Sequence, residues 1–263
     1  MSVDEFVNQL LRYEEYAFSF EELMVKSQKT EIALKRELSR LVEKGLLINL
    51  RKGFYIILPP RYQAMGRLPI ELYIDKLFKY LNKTYYVSLF TASRFHGASH
   101  QKIQKDYVMT ELPAVLDIEK EEISIHFFNA SNWPKGNVVK RKSDAGAFYV
   151  SSPALTVVDL IQYHTKIGGL NRILANIEEL IEEITVEDLQ ELLKWYPNRS
   201  TLQRFGFLLD ELQIENKLAE LILDHLKMEK YFPVLLTPIN EQKPGSVDNR
   251  WKIDVNLTLE TDL

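Results

Sequence analysis

Cysteine is absent from all 263 residues, which removes disulfides, thiolate metal sites, iron–sulfur clusters and a thiol nucleophile together. Such a chain suits a reducing compartment, and a cytoplasmic protein is expected. Glycine and proline are scarce at ten each, too few for a collagen-like, low-complexity or broadly disordered chain. No run approaches the ~18 uncharged apolar residues of a membrane span. The opening MSVDEFVNQL sets Asp4 and Glu5 where a secretion signal needs basic residues, so neither export nor a membrane partner is expected. What is present is 46% hydrophobic and 27% charged residues, a composition that packs. Length alone implies one large or two ordinary domains.

The net charge of −4 conceals an uneven distribution. Residues 1–25 carry −5, residues 26–61 carry +6, residues 62–142 carry +4, and residues 143–230 carry −7. A basic block inside an acidic chain points to a local polyanion contact, because a general attraction would need positive charge throughout. A solvated helix face would produce the same charge, so the pattern within residues 1–61 has to decide.

Val3, Phe6, Val7, Leu10 and Leu11 recur at helical spacing and predict a first amphipathic helix. Ser19 with Glu22 three residues on is a capping box that opens a second, short helix. Thr30 can cap a third helix that runs to Gly45, a good residue for leaving a helix. LLINL and FYIIL then read as a hairpin around Arg51-Lys52-Gly53, and Pro59-Pro60 closes the unit. Helix, short helix, turn, longer helix and basic-tipped hairpin is the order of a winged helix-turn-helix. At 100° per residue, Leu34, Leu38, Leu41 and Val42 cluster on one side of the third helix, while Lys29, Arg36 and Arg40 lie within ~40° of one another on the other. Ala33 on that outer side is small enough to let the helix approach a groove, and Glu43 on the same side argues mildly against DNA. Arginine can pair with guanine in the major groove and lysine can neutralise phosphate. The candidate double-stranded DNA contacts are therefore Lys29, Thr30, Arg36 and Arg40 on the helix and Arg51 and Lys52 on the wing.

The fold class expected is α+β, with residues 1–60 a winged helix-turn-helix domain and residues 61–263 a larger mixed α/β domain. In the second part, residues 61–83 read as a linker and an amphipathic helix carrying Leu72, Leu77 and Leu81. A helix ending at Gly97 follows. DYVMTEL, ISIHFF and AFYVSS read as strands of a small sheet, with a basic excursion holding Lys135, Lys140, Arg141 and Lys142. That excursion is a possible secondary DNA contact. Ser152-Pro153 opens a helix ended by Gly168-Gly169. Three more helical stretches follow, the last taken as one from TLQRF to LAELILDHL, with Thr185 and Asp188 read as another capping box. The tail RWKIDVNLTLE alternates and is expected to return to the sheet.

No catalytic constellation emerges. His96 and His100 are four apart, but Gly97 between them ends the helix and no third metal ligand follows. The common phosphate loops and the hydrolase nucleophile elbow are missing. Gly245-Ser246 with Asp254 resembles half of a nucleotidyltransferase metal site, but Asn256 stands where the second carboxylate should be. Glu178, Glu179, Glu182 and Glu183 form the solvent face of one helix whose other side is apolar. No enzyme activity, cofactor or metal is expected.

The winged-helix ending VEKGLLINLRKGFYIILPP, the block YYVSLFTASRFHGASHQ, the segment VSSPALTVVDLIQY and the closing RWKIDVNLTLE, taken in this order, resemble the AbiEi-type antitoxins of bacterial type IV toxin-antitoxin systems. The resemblance implies an autorepressor that binds its own promoter through the winged helix. It also implies a C-terminal domain that counters a nucleotidyltransferase toxin without a stable complex, in defence against phage by abortive infection. Two other readings stay open: a transcription factor whose C-terminal domain senses a ligand, and a DNA-tethered enzyme, for which no acidic metal site is visible.

Overall fold

A computed structural model describes residues 1–98, 104–130, 132–213, 217–239 and 241–260. The chain is α+β and divides into two compact units. The first draws on Met1–Val87, Ile103–Ser131 and Lys140–Val150; the second on Ser88–Lys102, Asn132–Val139 and Ser151–Leu263. Residues 1–60 fall wholly within the first.

The first unit begins with α1 (Val3–Arg12), β1 (Ala17–Ser19), α2 (Phe20–Lys26), α3 (Glu31–Glu43), β2 (Leu47–Arg51) and β3 (Phe54–Ile57). Local chemistry explains each start. Ser19 accepts from the Glu22 amide at 3.1 Å and Glu22 accepts from the Ser19 amide at 2.7 Å, so two amides that α2 cannot satisfy internally are both paired. Thr30 caps α3, and Gly45 leaves it at φ +67°, a conformation costly for a residue with a Cβ. Helix-period Val3, Phe6, Leu23, Leu34, Leu38 and Leu41 close on Phe18, Leu47 and Ile57 to make the core. The segment YAF supplies a strand as well as a link: β1 pairs antiparallel with β3, giving a sheet of order β1-β3-β2.

A short helix α4 (Pro60–Gln63) and α5 (Ile74–Leu81) lead to a six-stranded sheet. Its strands are β4 (Tyr85–Val87), β5 (Asp106–Thr110), β6 (Ile118–Lys120), β7 (Ile123–Asn129), β8 (Val138–Ser143) and β9 (Gly146–Ser151), in the order β6-β7-β5-β4-β9-β8. Phe78 of α5 stacks on Tyr85 at 4.6 Å and meets Phe127 edge-on at 5.8 Å, which seats the helix on the sheet. The expected strands form as β5, β7 and β9. The excursion around residues 138–143 is corrected to an edge strand, β8, which lies beside β9.

The second unit is helical: α6 (Leu89–Phe95), α7 (Pro153–Tyr163), α8 (Leu170–Glu183), α9 (Val186–Leu193), α10 (Arg199–Glu211) and α11 (Lys217–Lys227). Every residue of α7 from Ala154 to Ile161 is buried, so it is a central helix rather than an amphipathic one. The stretch from TLQRF to LAELILDHL is two helices, α10 and α11. The tail is also corrected. Its strand β11 (Ile253–Asp254) pairs in parallel with β10 (Val234–Leu235) and joins no larger sheet. Side chains on α10 decide this: buried Arg204 donates to the Leu235 and Leu236 carbonyls, and Gln203 donates to those of Phe232 and Trp251. Thr185 caps α9 as expected, yet the Asp188 carboxylate turns away and accepts from the Ala154 amide and Asn137 Nδ2, both at 2.8 Å.

Arg250 fastens the tail further, donating to Asp210 Oδ2 at 2.8 Å and Glu220 Oε1 at 2.6 Å, while Trp251 Nε1 donates to Asp210 at 2.6 Å. Burial alone would raise the Asp210 pKa. The hydrogen bonds from Arg250 and Trp251 and the Arg250 charge outweigh it and hold the carboxyl below its ordinary range. A depressed folded pKa stabilises the fold above the unfolded value near pH ~4, and that contribution disappears as pH falls through the folded pKa. Asp210→Asn is therefore expected to flatten the loss of thermal stability below pH ~4 relative to the parent, as read by melting curves across pH; parallel acid limbs would refute it.

Candidate nucleic-acid interface

Helix α3 meets the geometric requirement for a groove-reading element. Leu34, Leu38 and Leu41 are buried, and Arg36 and Arg40 are exposed, one turn apart, with no ion-pair partner among the described residues. Thr30 sets the start of the helix, its Oγ1 accepting from the Ala33 amide at 3.4 Å. Ala33 is half-buried and leaves the outer face unobstructed.

The other candidates differ in how they are held. Lys29 is ion-paired with Glu37, whose second oxygen accepts from the Val3 amide at 3.1 Å. These two hydrogen bonds, the one from Lys29 first, hold the Glu37 carboxyl below its usual range. Lys29 thus ties the turn before α3 to the start of α1. Lys35 pairs one turn back with Glu31. At the hairpin, Lys52 is exposed. Its neighbour Arg51 is half-buried: the guanidinium donates to the Leu116 carbonyl and lies 5.7 Å from the Phe127 ring centre, and burial lowers its pKa. Arg51 therefore directs its charge into the six-stranded sheet, and Lys52 alone of the pair faces outward.

The cations of β8 divide between its two faces. Alternation along β8 puts Lys140 and Lys142, both exposed, on one face and half-buried Arg141 on the other. Lys135, exposed, belongs to the second unit. A hollow of about 500 Å³ also opens in the first unit, walled by Glu15, Glu22, Asp75, Tyr80 and Lys76. Lys76 bridges Glu15 at 2.7 Å and Glu22 at 3.4 Å within it.

The residues 86–211, which run from β4 through α10, match the family described as the AbiEi antitoxin C-terminal domain. This stretch is similar to the AbiEi-type antitoxin domain. It supports an antitoxin role in a toxin-antitoxin system, with a toxin as functional counterpart. A crystal structure of the RV2827C protein from Mycobacterium tuberculosis superimposes with a TM-score of 0.65 at 16% identity, covering 94% of this chain and 89% of that one. That likeness is one of fold. No curated protein sequence matches.

Several polar groups of residues 86–211 hold that stretch together. Ser88 donates to buried Asp159 at 2.7 Å, and Trp195 Nε1 donates to Asn137 at 2.8 Å. His96, on the turn after α6, faces the Ser151 carbonyl at 2.7 Å, while His100 lies outside the described residues. Asp254 accepts from the Gly245 amide at 2.8 Å, a strand-end contact where the partial nucleotidyltransferase pattern stood. No helix among the described residues is long and apolar enough to cross a membrane. One outward side chain was absent from the sequence reading. Ile32 is 67% exposed on α3 and, by the 100° count, lies within ~40° of Arg36.

Proposed function

We propose that the protein is a DNA-binding autorepressor and antitoxin. Residues 1–60 form a winged helix that binds the operon promoter, and residues 61–263 provide the domain that counteracts a nucleotidyltransferase toxin, without a stable complex between the two proteins. The observation that carries the DNA half is α3: a capped helix, buried on one face, presenting Arg36 and Arg40 on the other, neither in an ion pair among the described residues although the Arg40 charge reaches Glu37. A solvated helix face would be expected to pair its cations locally, as Lys35 and Glu31 do. The stretch similar to the AbiEi domain carries the antitoxin half. Titrating the full chain against the DNA upstream of its own gene and against an unrelated duplex tests the first half; equal affinities would refute it. Co-expression with the neighbouring gene, scored by growth, tests the second.

The wing contact narrows to Lys52, and Lys140 with Lys142 form a subsidiary phosphate contact from which Lys135 and Arg141 are left out. Phosphate contacts release counterions, so each contributes about 0.9 to the slope of log affinity against log salt. Lys52→Ala is expected to lower the slope by about one and to weaken all sequences alike, and Lys140→Ala with Lys142→Ala to lower it by about two. Unchanged slopes would place these lysines off the DNA. Arg51→Ala is expected to leave the slope unchanged, since its charge is already spent on Leu116 and Phe127.

A further inference from the structure

Ile32 is a β-branched side chain at the second position of α3, 67% exposed, on the face that also carries Arg36 and Arg40. The fold has no use for it there. The core contacts of α3 are made by Leu34, Leu38 and Leu41 on the opposite side, and the helix start is already fixed by Thr30. Ile32 also has a lower helix propensity than the alanine or charged residues that suit a solvated position. Two arginines supply hydrogen-bond donors, which read guanine, but they cannot recognise the C5-methyl group of thymine. A branched apolar side chain can. Position adds to chemistry, because the first residues of a groove-entering helix approach the base edges most closely.

We infer that Ile32 is a specificity-determining residue that contacts a thymine methyl group in the major groove. The inference rests on the proposed DNA-binding role of α3. Burying one methyl group contributes ~0.8 kcal/mol, equivalent to about fourfold in affinity.

The test begins with a pool of randomised duplexes from which the full chain selects its preferred sequence. Each thymine of that sequence is then replaced singly by deoxyuridine, which removes the methyl group and leaves base pairing intact. The parent is expected to lose about fourfold at one position. Ile32→Ala should bind the thymine duplex about fourfold more weakly and lose nothing further on the deoxyuridine duplex, while Ile32→Val should keep part of the discrimination. Val25, 83% exposed on α2, serves as control, and Val25→Ala should discriminate as the parent does. Ile32→Ala retaining the parent's sensitivity at every thymine would overturn the inference and leave DNA binding intact. So would an altered sedimentation of the free protein with unchanged discrimination, which would assign Ile32 to a contact between protein chains. A pool that enriches no sequence would overturn the DNA-binding role itself and this inference with it.

Discussion

Arg36→Ala and Arg40→Ala are each expected to weaken binding to the promoter by about 1–3 kcal/mol, roughly 5- to 150-fold, with a loss that depends on operator sequence. Both side chains leave α3 on its exposed face outside any ion pair among the described residues. Removing them should therefore cost the fold little, since exposed helix positions tolerate alanine well. Sequence dependence separates base reading from phosphate contact: a reader of guanine loses most on the preferred duplex and little on an unrelated one, whereas a phosphate contact loses equally on both. Fluorescence-anisotropy titration of each variant on the two duplexes at fixed salt gives the comparison. Binding like the parent in both variants would remove α3 from the DNA.

A second large effect is expected at Gly206, in the middle of α10. An added methyl group would sit 2.1 Å from Trp251 Cζ3 and 2.3 Å from Cη2, closer than any real packing contact, and the Trp251 ring is wholly buried with its Nε1 held by Asp210 at 2.6 Å. The indole cannot retreat without breaking that hydrogen bond and the tail contacts of Arg250, so Gly206→Ala should destabilise the second unit by about 3 kcal/mol. Trp251→Ala removes the ring and should cost about 3–5 kcal/mol through the cavity left behind. The two changes should not add. Once the ring is gone, alanine at position 206 meets no clash and regains up to ~1 kcal/mol of helix propensity. Urea unfolding of the two single variants and the double variant checks this, and strictly additive losses would show that the glycine is needed for some reason other than the ring.

Residues 1–60 and the stretch similar to the AbiEi domain were legible to different depths. Ser19 with Glu22, Thr30 before α3 and Gly45 after it were readable because a helix end is satisfied by residues within four positions of it. The two faces of α3 followed from the 3.6-residue period alone. The break between α10 and α11 escaped that reading because both segments are apolar at compatible spacing, and the place where the chain stops being a helix depends on what each half packs against. Thr185 and Asp188 show the same limit within four residues. The spacing allows a capping box, yet Asp188 has a stronger use, two hydrogen bonds to Ala154 and Asn137 that lie far away in sequence.

By itself the sequence determined the three helices and the hairpin of residues 1–60, where the helices begin, and which residues of α3 point away from its core, but not strand β1. Caps and periodicities are properties of neighbours, and neighbours are written consecutively. The tertiary structure alone decided where the long charged side chains spend their charge. Lys29 goes to Glu37, Arg51 to the Leu116 carbonyl, and Arg250 to Asp210 and Glu220. It also decided that the tail pairs with Val234–Leu235 and that Gly206 must make room for Trp251. A lysine or arginine reaches several ångströms in any of many rotamers. Its partner is whatever carboxylate or carbonyl the fold brings within that reach, and no local period records it.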